Sequence, residues 1–348
     1  MQSGRAPHLK RRVVATAVVL ALLGGGFAIA TLGTGSSRRA PARAQGGELS
    51  QSGVAAAPAG PPRAPFAVGV RVLRLVDHSR HIGLPSGASS PRRLVTYVRY
   101  PAVGPASAKE LRNAPPQRAA EPFPLVVFGH GFTLTPAPYS RLLEAWARAG
   151  YVVAAPRFPL ENAKAPGGPD ESDLINQPAD MSFVISNLLS ASSRSGGQLQ
   201  GLIDPQRIAV SGHSDGGETA LAVAYDRRFR DPRVGAAAIF SGARIPGTGF
   251  SFPPGSPPLL ATQGTADTIN PPRFTRSFYD AASPPKFLLT LFGASHLPPY
   301  TNQRPQLHIV ERVTIAFFDR YLKREAGPVS RLARLGTVRG IASLAAQP

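Results

Sequence analysis

The stretch that decides the fold is "RIAVSGHSDGGETALAVAYD", residues 207–226. It begins with a short apolar run, passes through a glycine-rich turn, and ends in a helix-like run of small residues. At its centre, Gly212, Ser214 and Gly216 form the pattern G-x-S-x-G. The stretch predicts a buried strand, a tight turn that carries Ser214, and a helix. A pattern with three fixed positions also recurs by chance, so the rest of the chain must decide whether Ser214 is a nucleophile.

Buried strands alternate with helical patterns on both sides of this stretch. Two earlier runs, Phe66–Asp77 and Arg92–Pro101, alternate apolar and polar residues and predict an antiparallel edge. The pattern predicts one α/β domain over residues 66–325, with a mostly parallel sheet of about eight strands between two layers of helices and no large cap domain. Further strands are expected at 124–131, 151–156, 234–242, 258–264 and 286–293, and helices at 139–150, 180–192 and 305–323, with Asp180 as the N-cap of the second helix.

The two ends of the chain differ in composition from this domain. A basic segment precedes the uncharged run 13–33, which predicts either a signal peptide or a membrane anchor over residues 1–33. The small residues at 42–44 favour cleavage, whereas the length of the apolar run favours retention. Residues 34–65 are predicted to be a disordered linker and 326–348 a basic C-terminal tail. The catalytic domain is therefore expected outside the cytoplasm, either secreted or anchored to the membrane.

The bulk composition excludes several kinds of site. The chain has no cysteine, which excludes disulfides and a thiol nucleophile. Its net charge is +19, but residues 1–65 and 320–348 account for +12 of it, and no nucleic-acid motif accompanies the basic residues. We expect no nucleic-acid partner, no metal site and no cofactor, because neither metal-ligand spacing nor a phosphate-binding loop is present. Oligomeric state is left open.

Reactive side chains follow several of the predicted strands. Ser214 follows one strand, Asp267 and His296 follow two later ones, and the sequence "GHGF" at 129–132 follows another. Ligands bind at the carboxyl ends of the strands in such a sheet. A serine needs a base to remove its proton, an acid to orient that base, and backbone N–H donors for the oxyanion. These four places supply every part.

The chain resembles the α/β-hydrolase superfamily over residues 66–323, and its subgroup features resemble secreted lidless bacterial esterases. The similar motifs are "GHSDGG" at the nucleophile, "GTADTINPP" at the acid, "GASHLPPY" at the histidine, and "HGF" at the oxyanion turn. The resemblance implies a catalytic triad of Ser214, Asp267 and His296. It also implies an oxyanion hole made by the backbone N–H groups of Phe132 and Asp215.

Each assigned residue has rivals. Asp173 and Asp180 compete with Asp267 as the acid, but they precede Ser214 in the chain. His130 is expected to hold the oxyanion turn by a hydrogen bond, and His213 to be packed inside the domain. The carboxylate of Asp215 is unexplained, because a negative charge beside a developing oxyanion is unfavourable. The remaining histidines, at 78, 81 and 308, fall in an early loop and the last helix.

The expected substrate is a small-molecule or surface-presented ester. Only a Pro/Gly-rich loop separates the strands at 234–242 and 258–264, so the site is expected to be open to lipid-like or bulky esters. Tyr139, Phe158 and Phe250 are candidates for lining an acyl groove, with plain core packing as the alternative. Two alternatives to a serine ester hydrolase stay open: an acyltransferase or peptidase with the same triad, and a non-catalytic envelope binding protein. An uncleaved N-terminal segment implies contact with the membrane.

Overall fold

A computed structural model describes residues 65–106, 109–323 and 329–348, which fall within one compact unit. The predicted segment 1–33 and all but the last residue of the predicted linker 34–65 lie outside the described residues. The strands are β1 (Ala67–Gly83), β2 (Ser89–Ala102), β3 (Leu111–Arg112), β4 (Phe123–Gly129), β5 (Val152–Arg157), β6 (Ile203–His213), β7 (Val234–Phe240), β8 (Leu259–Gly264), β9 (Lys286–Leu291) and β10 (Ala342–Gln347). The helices are α1 (Ser140–Arg148), α2 (Gln177–Ser193), α3 (Asp215–Tyr225), α4 (Pro272–Ala281), α5 (Gln306–Tyr321) and α6 (Val329–Gly336).

All ten strands form one sheet in the order β10-β9-β8-β7-β6-β4-β5-β2-β1-β3. The six strands from β9 to β5 in that order pair in parallel. At one side β2 pairs antiparallel with β5, and β1 pairs antiparallel with β2. The predicted fold class and the predicted antiparallel edge are confirmed.

The helices cover both faces of the sheet. Helices α2, α3 and α4 pack on one face, and α1, α5 and α6 on the other. Within β4, Leu125 and Val127 face the first layer, whereas Val126 and Phe128 face the second. Both layers bury apolar side chains, which explains why the parallel strands read as continuous apolar runs. The segment between β7 and β8 contains no helix or strand, in agreement with the absence of a cap at that place.

The C-terminal segment corrects the prediction of a tail over 326–348. Helix α6 packs its Leu332 into the core layer of α5, and β10 pairs antiparallel with β9 from Ala342 to Gln347. Strand β10 is short and rich in alanine, and it is only partly buried at the edge of the sheet. A strand of this kind has little apolar contrast, so local patterning does not separate it from a tail.

A buried group of charges ties the antiparallel edge to α2. The guanidinium of Arg92 on β2 donates to both oxygens of Asp173, at 2.7 Å each, and to both oxygens of Asp180, at 2.6 and 2.8 Å. Helix α2 begins at Gln177, so Asp180 lies inside the helix and not at its N-cap, which corrects that prediction. Both rival acids are occupied with Arg92 and neither bonds to a histidine.

No helix in the described ranges is long and apolar enough to cross a membrane.

Candidate active site

Ser214 sits on a strained turn between β6 and α3. Its backbone has φ 56° and ψ −125°, a left-handed conformation that non-glycine residues rarely adopt. The two flanking glycines are required by close approach. A Cβ on Gly212 would lie 2.0 Å from the carbonyl oxygen of Gly216, and a Cβ on Gly216 would lie 2.2 Å from the backbone of Gly129. The spacing G-x-S-x-G is thus explained by backbone contacts on both sides of the serine.

His296 and Asp267 meet at the carboxyl ends of β8 and β9. The Nδ1 of His296 lies 2.7 Å from Oδ2 of Asp267. The other carboxylate oxygen accepts from the backbone N–H groups of Ile269 and Asn270, at 3.0 and 2.9 Å. Burial opposes ionisation of Asp267, but the hydrogen bonds from His296 and Asn270 outweigh it and lower the pKa of the carboxyl. Asp267 is therefore held as a carboxylate that fixes one side of the imidazole.

The hydroxyl of Ser214 points toward Asp215 in this structure. Its Oγ donates to Oδ1 of Asp215 at 3.4 Å, and within the described residues it makes no hydrogen bond with His296. The ring of His213, adjacent in sequence to Ser214, lies 4.5 Å from the ring of His296. Long nucleophile–base contacts are common in proteins without substrate. His296, bonded to Asp267, therefore contacts the residue that precedes Ser214, and the serine–histidine bond is unmade in the described residues.

The turn at 130–133 lies against Ser214. A Cβ on Gly131 would come within 3.1 Å of the Cβ of Ser214. His130 is fully buried, with its Nε2 accepting from the backbone N–H of Phe158 at 3.1 Å and its Nδ1 donating to the carbonyl of Gly131 at 2.9 Å. Burial lowers the pKa of His130 to about 4, so it is neutral and structural. The N–H of Phe132 has no acceptor within the described part of the chain.

A chain of hydrogen bonds links this turn to the loop that carries His296. The N–H of Gly131 donates to the Tyr139 hydroxyl at 3.3 Å, and that hydroxyl lies 2.8 Å from Nδ1 of His213. The Nε2 of His213 lies 2.9 Å from the carbonyl oxygen of His296 and must donate to it. Nδ1 of His213 therefore accepts from Tyr139. Tyr139 is fully buried, so its prediction as a groove residue is wrong.

We expect Tyr139→Phe to lower kcat about tenfold and the free energy of unfolding by about 1–3 kcal/mol, because it leaves the Gly131 N–H and His213 Nδ1 unpaired. Tyr225→Phe is a matched control, since the Tyr225 hydroxyl is equally buried but bonds to the carbonyl of Pro257, away from these motifs. The measurement is urea unfolding together with ester turnover. Equal losses of kcat in the two variants would show that Tyr139 has no specific role in positioning.

Asp215, the residue after Ser214, interacts with two further buried acids, Glu161 and Glu218. Asp215 and Glu218 lie in the first turn of α3, and Glu161 lies in the loop after β5. Burial and the charge of Glu171 raise the pKa of Asp215 to about 6. Burial and the charge of Asp215 raise the pKa of Glu161 to about 9 and that of Glu218 to about 8. Both carboxylate oxygens of Glu161 are buried, and neither has a hydrogen-bond partner among the residues that the structure describes.

The remaining candidates lie away from the reactive groups. Phe158 is fully buried and its ring packs 5.0 Å from that of His130, so it does not line a groove. Phe250 packs against Phe252 and Phe278 in the core layer of α3 and α4. A bulky aromatic residue in a loop can pack into the core or line a binding groove. The sequence alone does not distinguish these two roles. Of the other histidines, 78 and 81 are exposed on β1 and 308 pairs with Glu311 on α5.

Within the described ranges, no group of three or more metal-ligating side chains could hold a metal ion.

Comparison with known proteins adds independent observations. The Chlorophyllase family model matches residues 94–240. The chain is 29% identical over 161 residues to "Chlorophyllase-2" of Arabidopsis thaliana, which covers 45% of this chain and 46% of that protein. It is 32% identical over 103 residues to "Chlorophyllase type 0" of Chenopodium album, covering 29% and 28% respectively. The chain therefore spans less than half the length of these curated relatives.

A solved structure agrees with the fold over a longer span. The ferulic acid esterase from Streptomyces cinnamoneus superposes with a TM-score of 0.57 and 23% sequence identity. The match covers 78% of this chain and 94% of that chain. The fold is therefore shared over nearly the whole of the esterase, well beyond the segment that the family model matches.

Proposed function

We propose that this chain, an α/β-hydrolase by its fold, is a carboxylic ester hydrolase that works through an acyl-serine intermediate. The observation that carries the proposal is the 2.7 Å bond from His296 to Asp267 beside a serine on a strained strand-to-helix turn. In this role Ser214 is the nucleophile, His296 the base and Asp267 the group that orients the base.

The proposed reaction has two steps. The Nε2 of His296 takes the proton of Ser214 as Oγ attacks the ester carbonyl, and the resulting imidazolium gives that proton to the leaving alcohol. A water molecule, deprotonated by the same nitrogen, then attacks the acyl-serine and releases the carboxylic acid. For the first step the Ser214 side chain must rotate away from Asp215 toward His296.

Two backbone donors fit the oxyanion. The N–H of Phe132 is unpaired in a turn that touches Ser214, and the N–H of Asp215 begins α3, where helical N–H groups have no intrahelical acceptor. A developing negative charge at the N-terminus of α3 is also stabilised by the helix dipole. The mechanism thus uses the amide of Asp215 and gives no task to its carboxylate.

The chemistry of the ester bond is supported by the matched proteins. The family model and both curated relatives carry the name chlorophyllase, and the structural neighbour is named as an esterase. No helical cap lies between β7 and β8, which is compatible with lipid-like or bulky esters. We therefore assign bulky carboxylic esters as the substrate class.

The proposed place of action is outside the cytoplasm. It rests on the basic segment and the uncharged run at 13–33, which lie outside the described residues. The expected result is that protease added to intact cells degrades an anchored chain, or that the chain is recovered from the medium. Full protection in intact cells, with degradation after lysis, would contradict this location.

The test of the proposed function is covalent labelling with a fluorophosphonate, which reacts with activated serines. We expect the full-length chain to gain one adduct at Ser214, located by peptide mass spectrometry. Removing the base should abolish labelling without removing the serine, so His296→Ala serves as a second variant.

The exposed Ser277 on α4 provides a matched control, since Ser277→Ala should label like the parent chain. An adduct elsewhere, or labelling that persists in His296→Ala, would refute the assignment of the nucleophile and its base.

A further inference from the structure

A cleft lies between the strands β1, β2 and β3 and the segments that follow the turn at 130–133 and β5. Its volume is about 750 Å³, within the range of small-molecule sites. None of the proposed catalytic residues lines it. The lining comes from β1, β2, β3 and the segments that follow the turn and β5: Val70, Val72, Tyr97, Arg99, Glu110, Arg112, Asn113, Thr135, Pro136, Ala137, Arg157 and Lys164.

The charge of this cleft is strongly positive. Four basic side chains line it, against the single acid Glu110. Glu110 pairs with Arg99. Within the described residues, Arg112, Arg157 and Lys164 have no acidic partner. Three cations are therefore directed at the same space without neutralisation, which gives a field that attracts an anion.

The deepest of these cations has an unused donor. Arg99 is 4% exposed, and its Nη1 is buried without a hydrogen-bond partner. A buried guanidinium N–H without an acceptor is costly. Arg99 itself lines the cleft, so a shift of its side chain would bring this donor to an acceptor that enters. This orphaned donor distinguishes the cleft from an ordinary patch of surface arginines.

The wall of β1 adds apolar surface to the same space. Val70 and Val72 lie on it, and Val72 is 39% exposed. Tyr97 extends this surface on β2. A ligand that fits must therefore combine an anionic group with an apolar body.

We propose that this cleft binds a small organic carboxylate with an apolar body, whose oxygens pair with Arg99 and with the basic residues at the mouth. The planar fork of an arginine matches the two oxygens of a carboxylate. The site does not depend on the proposed hydrolase reaction, because its lining residues take no part in that chemistry.

The test is calorimetric titration of the full-length chain with 3-phenylpropanoate. The cationic analogue 3-phenylpropan-1-aminium and the phosphate 3-phenylpropyl phosphate serve as comparison ligands. We expect the carboxylate to bind and the aminium to show no binding. We expect Arg112→Gln combined with Lys164→Gln to weaken carboxylate binding at least about tenfold, since charge-assisted contacts are lost. Added salt should weaken it further.

Both residues of that pair are exposed, so the double variant should fold. Arg99→Gln, checked by circular dichroism, should weaken binding at least as much. The control Arg276→Gln removes an exposed arginine of α4 and should bind like the parent chain. Equal binding of the aminium, binding of the phosphate alone, or an equal loss in Arg276→Gln would overturn the proposal. So would undiminished binding in the double variant. Each of these outcomes leaves fluorophosphonate labelling of Ser214 untouched, so the two proposals fail separately.

Discussion

Replacing Ser214 by alanine is expected to lower kcat/KM for p-nitrophenyl butyrate at least about 10³-fold. The hydroxyl is the only atom of this side chain that can form the acyl-enzyme, and the substitution removes it. Alanine on a backbone with φ 56° is no more strained than serine there, so the fold should persist. The measurement compares purified full-length chains at several p-nitrophenyl chain lengths.

Circular dichroism and the thermal midpoint of the variant should match those of the parent chain. A control is Ser193→Ala, which removes an exposed hydroxyl at the end of α2. Activity in Ser214→Ala comparable with that of the parent chain would rule out the acyl-serine route. A loss confined to long acyl chains would instead assign Ser214 to substrate binding.

Replacing Glu161 by glutamine is expected to stabilise the fold at alkaline pH. Burial, followed by the charge of Asp215, raises the pKa of Glu161 to about 9, above the ordinary value of 4.5 for an unfolded chain. The stabilising contribution of the protonated carboxyl is therefore complete below pH about 4.5 and is lost as pH rises through about 9. Glutamine has no proton to lose, so we expect the variant to gain at least about 2 kcal/mol at pH 8.5 relative to pH 5.

The measurement is urea unfolding of both chains between pH 5 and pH 9. Glu121→Gln is the control, because it removes the same charge from a side chain that is 79% exposed. Parallel pH profiles for Glu161→Gln and the parent chain would mean that the carboxyl is not held neutral by burial. Because Asp215 and Glu218 also have raised pKa values, some alkaline loss should remain in the variant.

The parallel part of the fold was predictable from sequence because its strands are buried on both faces. The runs at 124–131 and 286–293 contrast sharply with their polar neighbours, and β4 and β9 lie there. The short strand β3 and the alanine-rich β10 lack that contrast. Their pairing depends on a neighbouring strand edge that is distant in sequence, so local patterning could not reveal it.

The candidate site was predictable where backbone geometry restricts residue type. The glycines around Ser214 are required by contacts of about 2 Å that no side chain could tolerate, and such constraints leave a motif. Tyr139 and Glu161 leave none, because their roles arise from partners that folding brings together. In the sequence, Tyr139 looks like an ordinary apolar residue just before α1. In the structure, its hydroxyl connects Gly131 with His213. Glu161 reads as an ordinary polar loop residue, although it is fully buried.

Strand β10 has a practical consequence for anyone who engineers this protein. Its last paired residue, Gln347, lies opposite Lys286 of β9. An affinity tag fused directly after Pro348 would extend the strand at the sheet's edge. Deleting 342–348 would expose the backbone of β9 as a template for pairing with other chains. Versions that lack residues 342–348 should therefore aggregate when they are concentrated.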